Sequence, residues 1–285
     1  MHTWAPMLLA VVAAILIAAG TVLRQRASAS NGAITAGWWL GAAVALAGFG
    51  LQATALGLGS ILVVQPLVVL AVLFALPMES WIDKRRMERS EWLWGLILVA
   101  CVVSFLVLAR PVSTDRRPNM LVMVITVGAL MLGIVAIVIN AERCRSPHFC
   151  ALCYGLAAGA LFGVSALLIK AVAIRLYYDP VSVFVHAEMY LLVVVVLLAI
   201  AAQQRGFGAG ELQTSFPAMN VMEPLVAMVL GVALLGENIY VNAPTAVFLC
   251  VVAVVAAVAV VKLAQDSAAS GQERRAMREE RVRLG

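Results

Sequence analysis

Glu223 is the side chain of this sequence best placed to do chemistry in an apolar setting. It sits inside an apolar run, 209–236, roughly 16 Å deep at the helical rise. Ionisable groups at such depth are rare and by default mark function. A carboxyl there can carry a proton, hold a cation or bind a cationic solute. Asn220 stands one turn before it and Pro224 follows directly. Gln65-Pro66 repeats the arrangement in an earlier run with a neutral amide, and Pro217 adds a third helix-interior proline. Such a proline leaves a backbone carbonyl without its partner, which membranes tolerate where the carbonyl is buried or lines a cavity. Lys170, His186 and Glu188 also lie within apolar runs. A Glu188–Lys170 ion pair would account for two of them without any further role. His186 reads as a hydrogen-bonded helix histidine or as a ligand.

The elements that position these groups must be membrane helices. Of 285 residues, 64% are hydrophobic and only 12% are charged, with a mean hydropathy of +1.01, against roughly half and a quarter in soluble domains. Nine apolar runs are long enough to span a bilayer: 5–23, 33–56, 60–78, 91–109, 120–140, 149–174, 181–202, 209–236 and 243–262. The alternation of a transmembrane barrel is absent. The first run has Arg24 and Arg26 after it and no basic residue before it, the reverse of a signal peptide, so it reads as an uncleaved span. With the N-terminus outside, 15 of the 20 Lys and Arg residues fall on the inner side, four on the outer side, and Lys170 within a span. The positive-inside rule therefore favours nine spans with a cytoplasmic C-terminus. The tail from Gln265 reads as solvated and irregular rather than as a surface helix. Gly155, Gly159 and Gly163 form one small face, a packing signal. Trp38, Trp39, Trp92 and Trp94 read as interface anchors.

Two segments repeat. Ala55 to Ser80 and Gln213 to Asn238 align without gaps and pair Pro66 with Pro224, Gln65 with Glu223 and Glu79 with Glu237. More weakly, Arg24 at the end of the first span matches Lys170 near the end of the sixth. The third span runs inward and the eighth outward, so the halves are inverted. The organisation is a four-span repeat at 1–110, a connecting span at 111–145, a second four-span repeat at 146–264 and a cytoplasmic tail at 265–285. Inverted repeats are a transporter architecture with the substrate near the midplane.

The stretches GFGLQATALGLGSILVVQPL and EWLWGLILVACVVSFLVLARP in the first half, and GLAAGALFGVSALLIKA and EPLVAMVLGVALLGE in the second, resemble the drug/metabolite transporter superfamily. The first half is most similar to its NIPA-like branch, within an EamA-like fold. The resemblance implies an all-α integral membrane protein of about nine transmembrane helices in two inverted repeats. It also implies transport, with magnesium as the substrate class of that branch.

The expected function is secondary transport of a small solute (a metabolite, a drug-like compound or a lipid-linked precursor) by alternating access, with proton coupling open. A magnesium or divalent-cation carrier is the close variant, using Glu223 and Glu188 with retained waters. An integral-membrane enzyme is a second class, but HExxH, GxSxG and DDxxD-like patterns are absent and Gly163-Val164-Ser165-Ala166 is only a weak serine motif. A non-transporting assembly or regulatory protein is a third. Cys144, His148, Cys150 and Cys153 cluster at the start of the sixth span, where ordinary membrane cysteines are favoured over zinc. No cofactor and no nucleic acid are expected. The partners are the lipid bilayer and the solute or ion carried, and a homodimer is left open. The Ala/Val/Arg-rich composition suits a high-GC bacterium, hence a bacterial plasma membrane. Reporter fusions should place the N-terminus outside and the C-terminus in the cytoplasm; both on one side would refute nine spans.

Overall fold

The structure, a computed structural model, describes residues 4–27, 36–82, 89–109, 120–143, 146–208, 212–237 and 241–284. Among these residues every regular element is helical. They are α1 (Trp4–Ala27), α2 (Ala36–Leu58), α3 (Ile61–Val69), α4 (Ala71–Ile82), α5 (Arg89–Ala109), α6 (Met120–Arg143), α7 (Pro147–Tyr178), α8 (Ala187–Gly208), α9 (Leu212–Leu235) and α10 (Ala243–Leu284). Among the described residues nine candidate spans are long and apolar enough to cross a bilayer, α3 and α4 together forming one of them. Their outward faces stay apolar: Leu46, Leu132 and Val254 are 71%, 73% and 64% exposed. Lipid is the solvent that permits this.

The helices pack through small residues, because lipid supplies no hydrophobic drive between them. α1 lies on α2, where a Cβ on Gly20 would meet the Ala45 backbone nitrogen at 2.5 Å and the Gly41 carbonyl at 2.7 Å. α7 lies on α9 through the glycine face seen in the sequence. Gly155, Gly159 and Gly163 meet the carbonyls of Ser215, Met219 and Glu223 in turn, so α7 and α9 run parallel and in register. One core cluster joins the two ends of the chain. It holds Ala10, Leu56, Ile61, Val64, Leu76 and Leu98 with Ala166, Ala227, Ala259 and Leu263. A second gathers around α7 and includes Ile134, Ala160, Leu161, Val195 and Leu230.

Three expectations change. The third span is broken not at Pro66 but one turn later, at Leu70, whose N–H turns back to the Leu67 carbonyl at 3.2 Å. α9, in contrast, runs unbroken through Pro217 and Pro224. The seventh span starts at Ala187 rather than at 181, because Ser182–Phe184 form a 3-10 turn held by Asp179. The tail is not irregular: α10 continues helically to Leu284. That stretch is rich in Ala, Glu, Arg and Gln, good helix formers, and it extends an existing helix without a new nucleus. Of the expected tryptophan anchors, Trp39 and Trp92 are exposed, whereas Trp94 packs against the first core cluster. The Trp38 side chain lies outside the described residues.

The glycine seam has a direct test. Gly159→Leu would press a side chain on the Met219 backbone, where a Cβ already comes to 2.5 Å, and should destabilise by about 1–3 kcal/mol or more. Gly128→Leu, with nothing within 4 Å of its Cβ, should leave the detergent melting temperature unchanged.

Candidate functional site

Among the described residues the most heavily bonded buried group is the Glu237 carboxylate, 1% exposed. Gly236 adopts a φ of 65° just past α9, a conformation that suits glycine, and the Glu237 N–H returns to the Gly231 carbonyl at 3.2 Å. The turn aims the carboxylate back over α9. Gly231 leaves room for it: a Cβ there would lie 3.2 Å from Glu237 Oε2. The carboxylate lands on the N-terminus of α3, whose first N–H groups have no helical partner. Ile61 N–H donates to Oε1 at 2.9 Å and Leu62 N–H to Oε2 at 3.0 Å. The Ser60 hydroxyl donates to Oε2 at 2.7 Å, while Ser60 Oγ accepts from Leu62 N–H at 3.1 Å. Lys170 of α7 completes the shell, its Nζ 2.7 Å from Oε1. Four donors thus replace the water that lipid withholds.

The expected Glu188–Lys170 pair does not form. Lys170 belongs to Glu237, and Glu188 pairs with Arg175 at 2.8 Å, about one-third exposed. The reason is geometric: the 3-10 turn delays α8, so Glu188 lies in its first turn beside the end of α7. Arg175, Tyr178, Asp179 and His186 line a shallow recess of about 380 Å³ at this end. His186 is exposed, with Nδ1 2.7 Å from the Ser182 carbonyl oxygen, and it stands close enough to Glu188 for the two charges to interact.

Deeper lie the other two candidates. Glu223 is half-buried midway along α9, and among the described residues nothing pairs with its carboxylate. Its own carbonyl faces Gly163. Gln65 is 1% exposed, and its Nε2 has no hydrogen-bond partner. An unsatisfied buried donor of this kind is rare in native structures. α3 and α9 pack against each other, and a Cβ on Gly231 would lie 3.4 Å from that of Ile61. Counting from that contact, Gln65 and Glu223 are stepped by about 6 Å in depth rather than level. Pro224 removes the helical partner of the Asn220 carbonyl, one turn from Glu223. The polar groups therefore form a descending series along α7 and α9: Arg175–Glu188, then Lys170–Glu237, then Gln65, then Glu223.

That spacing removes one expected cation site. Arg175, which holds Glu188, is twelve residues past Gly163, the residue level with Glu223. The two carboxylates are thus about 18 Å apart along α7 and cannot share one magnesium ion. Among the described residues no three His, Cys, Asp or Glu side chains converge as a metal cluster. Of the cysteine group, Cys150 Sγ donates to the Ala141 carbonyl at 3.2 Å; Cys144 and the His148 side chain lie outside the described residues. The Ser165 hydroxyl donates to the Phe162 carbonyl of its own helix at 2.7 Å.

Glu237 and Ser60 were not singled out from the sequence as site residues. The signal was present in the repeat, which pairs Glu79 with Glu237 and Arg24 with Lys170. The side chains of Arg24 and Glu79 lie outside the described residues.

The helices and their buried polar groups define a polytopic α-helical membrane protein. The chain is 35% identical over 251 residues to an uncharacterized protein of Corynebacterium glutamicum, a match covering 81% of this chain and 84% of that relative, and it belongs to the same family. No family model matches the chain, and no solved structure does.

The Lys170–Glu237 contact makes a sharp stability prediction. Removing one partner of a buried pair leaves an uncompensated charge, at about 3–5 kcal/mol. Lys170→Met should lower the detergent melting temperature markedly, whereas Arg175→Met, at the exposed pair, should change it by at most about 1 kcal/mol in equivalent stability.

Proposed function

We propose that this chain is a secondary transporter of the drug/metabolite transporter type, working by alternating access in a bacterial plasma membrane. The observation that carries the reading is a pair of deep polar groups: the Glu223 carboxyl, with no partner among the described residues, and the orphan Gln65 amide. A group left unsatisfied at this depth has a functional use or a strong selective cost against it. Both stand next to prolines in the two repeated segments, and inverted repeats place substrates where such interrupted helices meet.

In this reading the halves 1–110 and 146–264 are inverted repeats, with the N-terminus outside. Glu223 binds a cationic group of the solute, or carries the coupling proton. Gln65 offers the donor that orients an acceptor on the same solute. Hydrated magnesium would have Glu223 as its single carboxylate, because Glu188 is engaged elsewhere. An organic solute with a cationic or hydrogen-bond-donating group therefore fits the geometry better.

Purified protein in liposomes should take up at least one member of a panel of cations, amines and polar metabolites. Glu223→Gln should reduce that flux at least tenfold while the protein remains folded. Absence of flux for every compound, with native melting behaviour, would reject the reading.

A further inference from the structure

The Glu237 shell lies between the exposed recess at the end of α7 and the deep groups Gln65 and Glu223. It is also where the two halves of the chain are bonded. Three donors, from Ser60, Ile61 and Leu62, belong to the start of α3. The carboxylate follows α9, and the fourth donor, Lys170, comes from α7. α7 and α9 cannot readily part, because Gly155, Gly159 and Gly163 sit directly on α9 carbonyls. Glu237 and Lys170 are therefore carried by one tightly seamed helix pair, and the α3 N-terminus meets them from a separate helix.

We infer that the Glu237 carboxylate on the α3 N-terminus is the latch that closes the protein on this face, and that Lys170 travels with Glu237 when the latch opens. This rests on the transport reading above.

A buried ion pair is a poor way to gain stability, since well-packed apolar residues often do as well or better. It suits a contact that must part. When water enters, the freed N–H groups of Ile61 and Leu62 and the Ser60 hydroxyl are hydrated, whereas a parted apolar seam would be exposed to water at a penalty. Lys170 keeps Glu237 neutralised in both states, so the opening strands no lone charge in low dielectric. Three donors on one helix end make the closed state directional, because they are satisfied together only when α3 starts directly under Glu237. Gln65 lies one turn below Ile61, so parting at this point exposes its orphan amide first.

The test is one-sided accessibility. Ala227, fully buried and in the same core cluster as Ile61 and Val64, is replaced by cysteine in a background lacking Cys101, Cys144, Cys150, Cys153 and Cys250. A membrane-impermeant maleimide is applied to sealed vesicles of both orientations. The latch predicts slow labelling from either face with Ser60 and Glu237 intact. It predicts at least a fivefold faster rate, from the face where α3 begins only, in Glu237→Gln and to a lesser degree in Ser60→Ala. Unchanged labelling, or labelling that rises equally from both faces, overturns it. If Glu237→Gln does not fold, Ser60→Ala decides alone, since it removes one hydroxyl and leaves the ion pair in place. Solute flux through the unmodified protein, in the same vesicles, judges the transport reading separately. Flux with unchanged labelling rejects the latch and retains the transporter. One-sided labelling without flux retains the latch as a hinge between the halves and rejects transport.

Discussion

A carboxylate removed from water must be supplied with donors by the protein itself, and meeting that demand at Glu237 organises one end of this molecule. The demand explains features that look unrelated along the chain. Gly236 turns with positive φ so that the residue after α9 can point back. Gly231 has no side chain where Oε2 must pass. α3 begins beneath it, with Ser60 as its N-cap, so the free N–H groups of a helix start meet a negative charge, as the helix dipole favours. Lys170 lies far enough along α7 to reach the same oxygen atoms only because the glycine seam holds α7 parallel to α9 at close range. Loss of any one of these would leave a charge or several amides unsatisfied in low dielectric.

Much of the architecture was legible in composition and spacing. Apolar runs longer than a bilayer is thick can only be helices, and each of the nine runs overlaps one observed span; the seventh span begins late because Asp179 and Ser182 fold the chain into a 3-10 turn. The three glycines of α7 face a neighbour because four-residue spacing lines one helix face; that the neighbour is α9 required the structure. The helical extension of α10 is not legible from polarity, which points to an irregular tail, and follows instead from strong local helix propensity.

The site was legible in part. Depth marks Glu223 and Lys170 as unusual, and the repeat marks Gln65. Their partners were not readable, because an ion pair between α7 and the end of α9 is a property of helix register, which sequence spacing within one helix does not report. Lys170 was matched with Glu188, its neighbour in the chain, when its actual partner is 67 residues away. The repeat contained the correct hint, since it singled out Glu237 and Lys170 separately without joining them.

What remains polar, deep and unsatisfied is therefore informative. At one end of α7 Arg175 pairs with Glu188 and Lys170 with Glu237. Farther in, Glu223 has no partner among the described residues, and Gln65 Nε2 has no hydrogen bond. Under the transport reading proposed above, the contrast separates groups that hold the bundle together from groups that would meet the solute. On the same reading, the neutral Gln65 and the ionisable Glu223 of the two similar segments would leave coupling by charge to Glu223.

The most direct measurement is a thermal-shift titration of the purified protein against a panel of cations, amines and polar metabolites, run in parallel on Glu223→Gln. A ligand that binds the native state raises its apparent stability with concentration. The account predicts at least one solute that raises the melting temperature of the unmodified protein and not of the variant. A panel in which no solute shifts the unmodified protein, or in which shifts are equal in both, would contradict it.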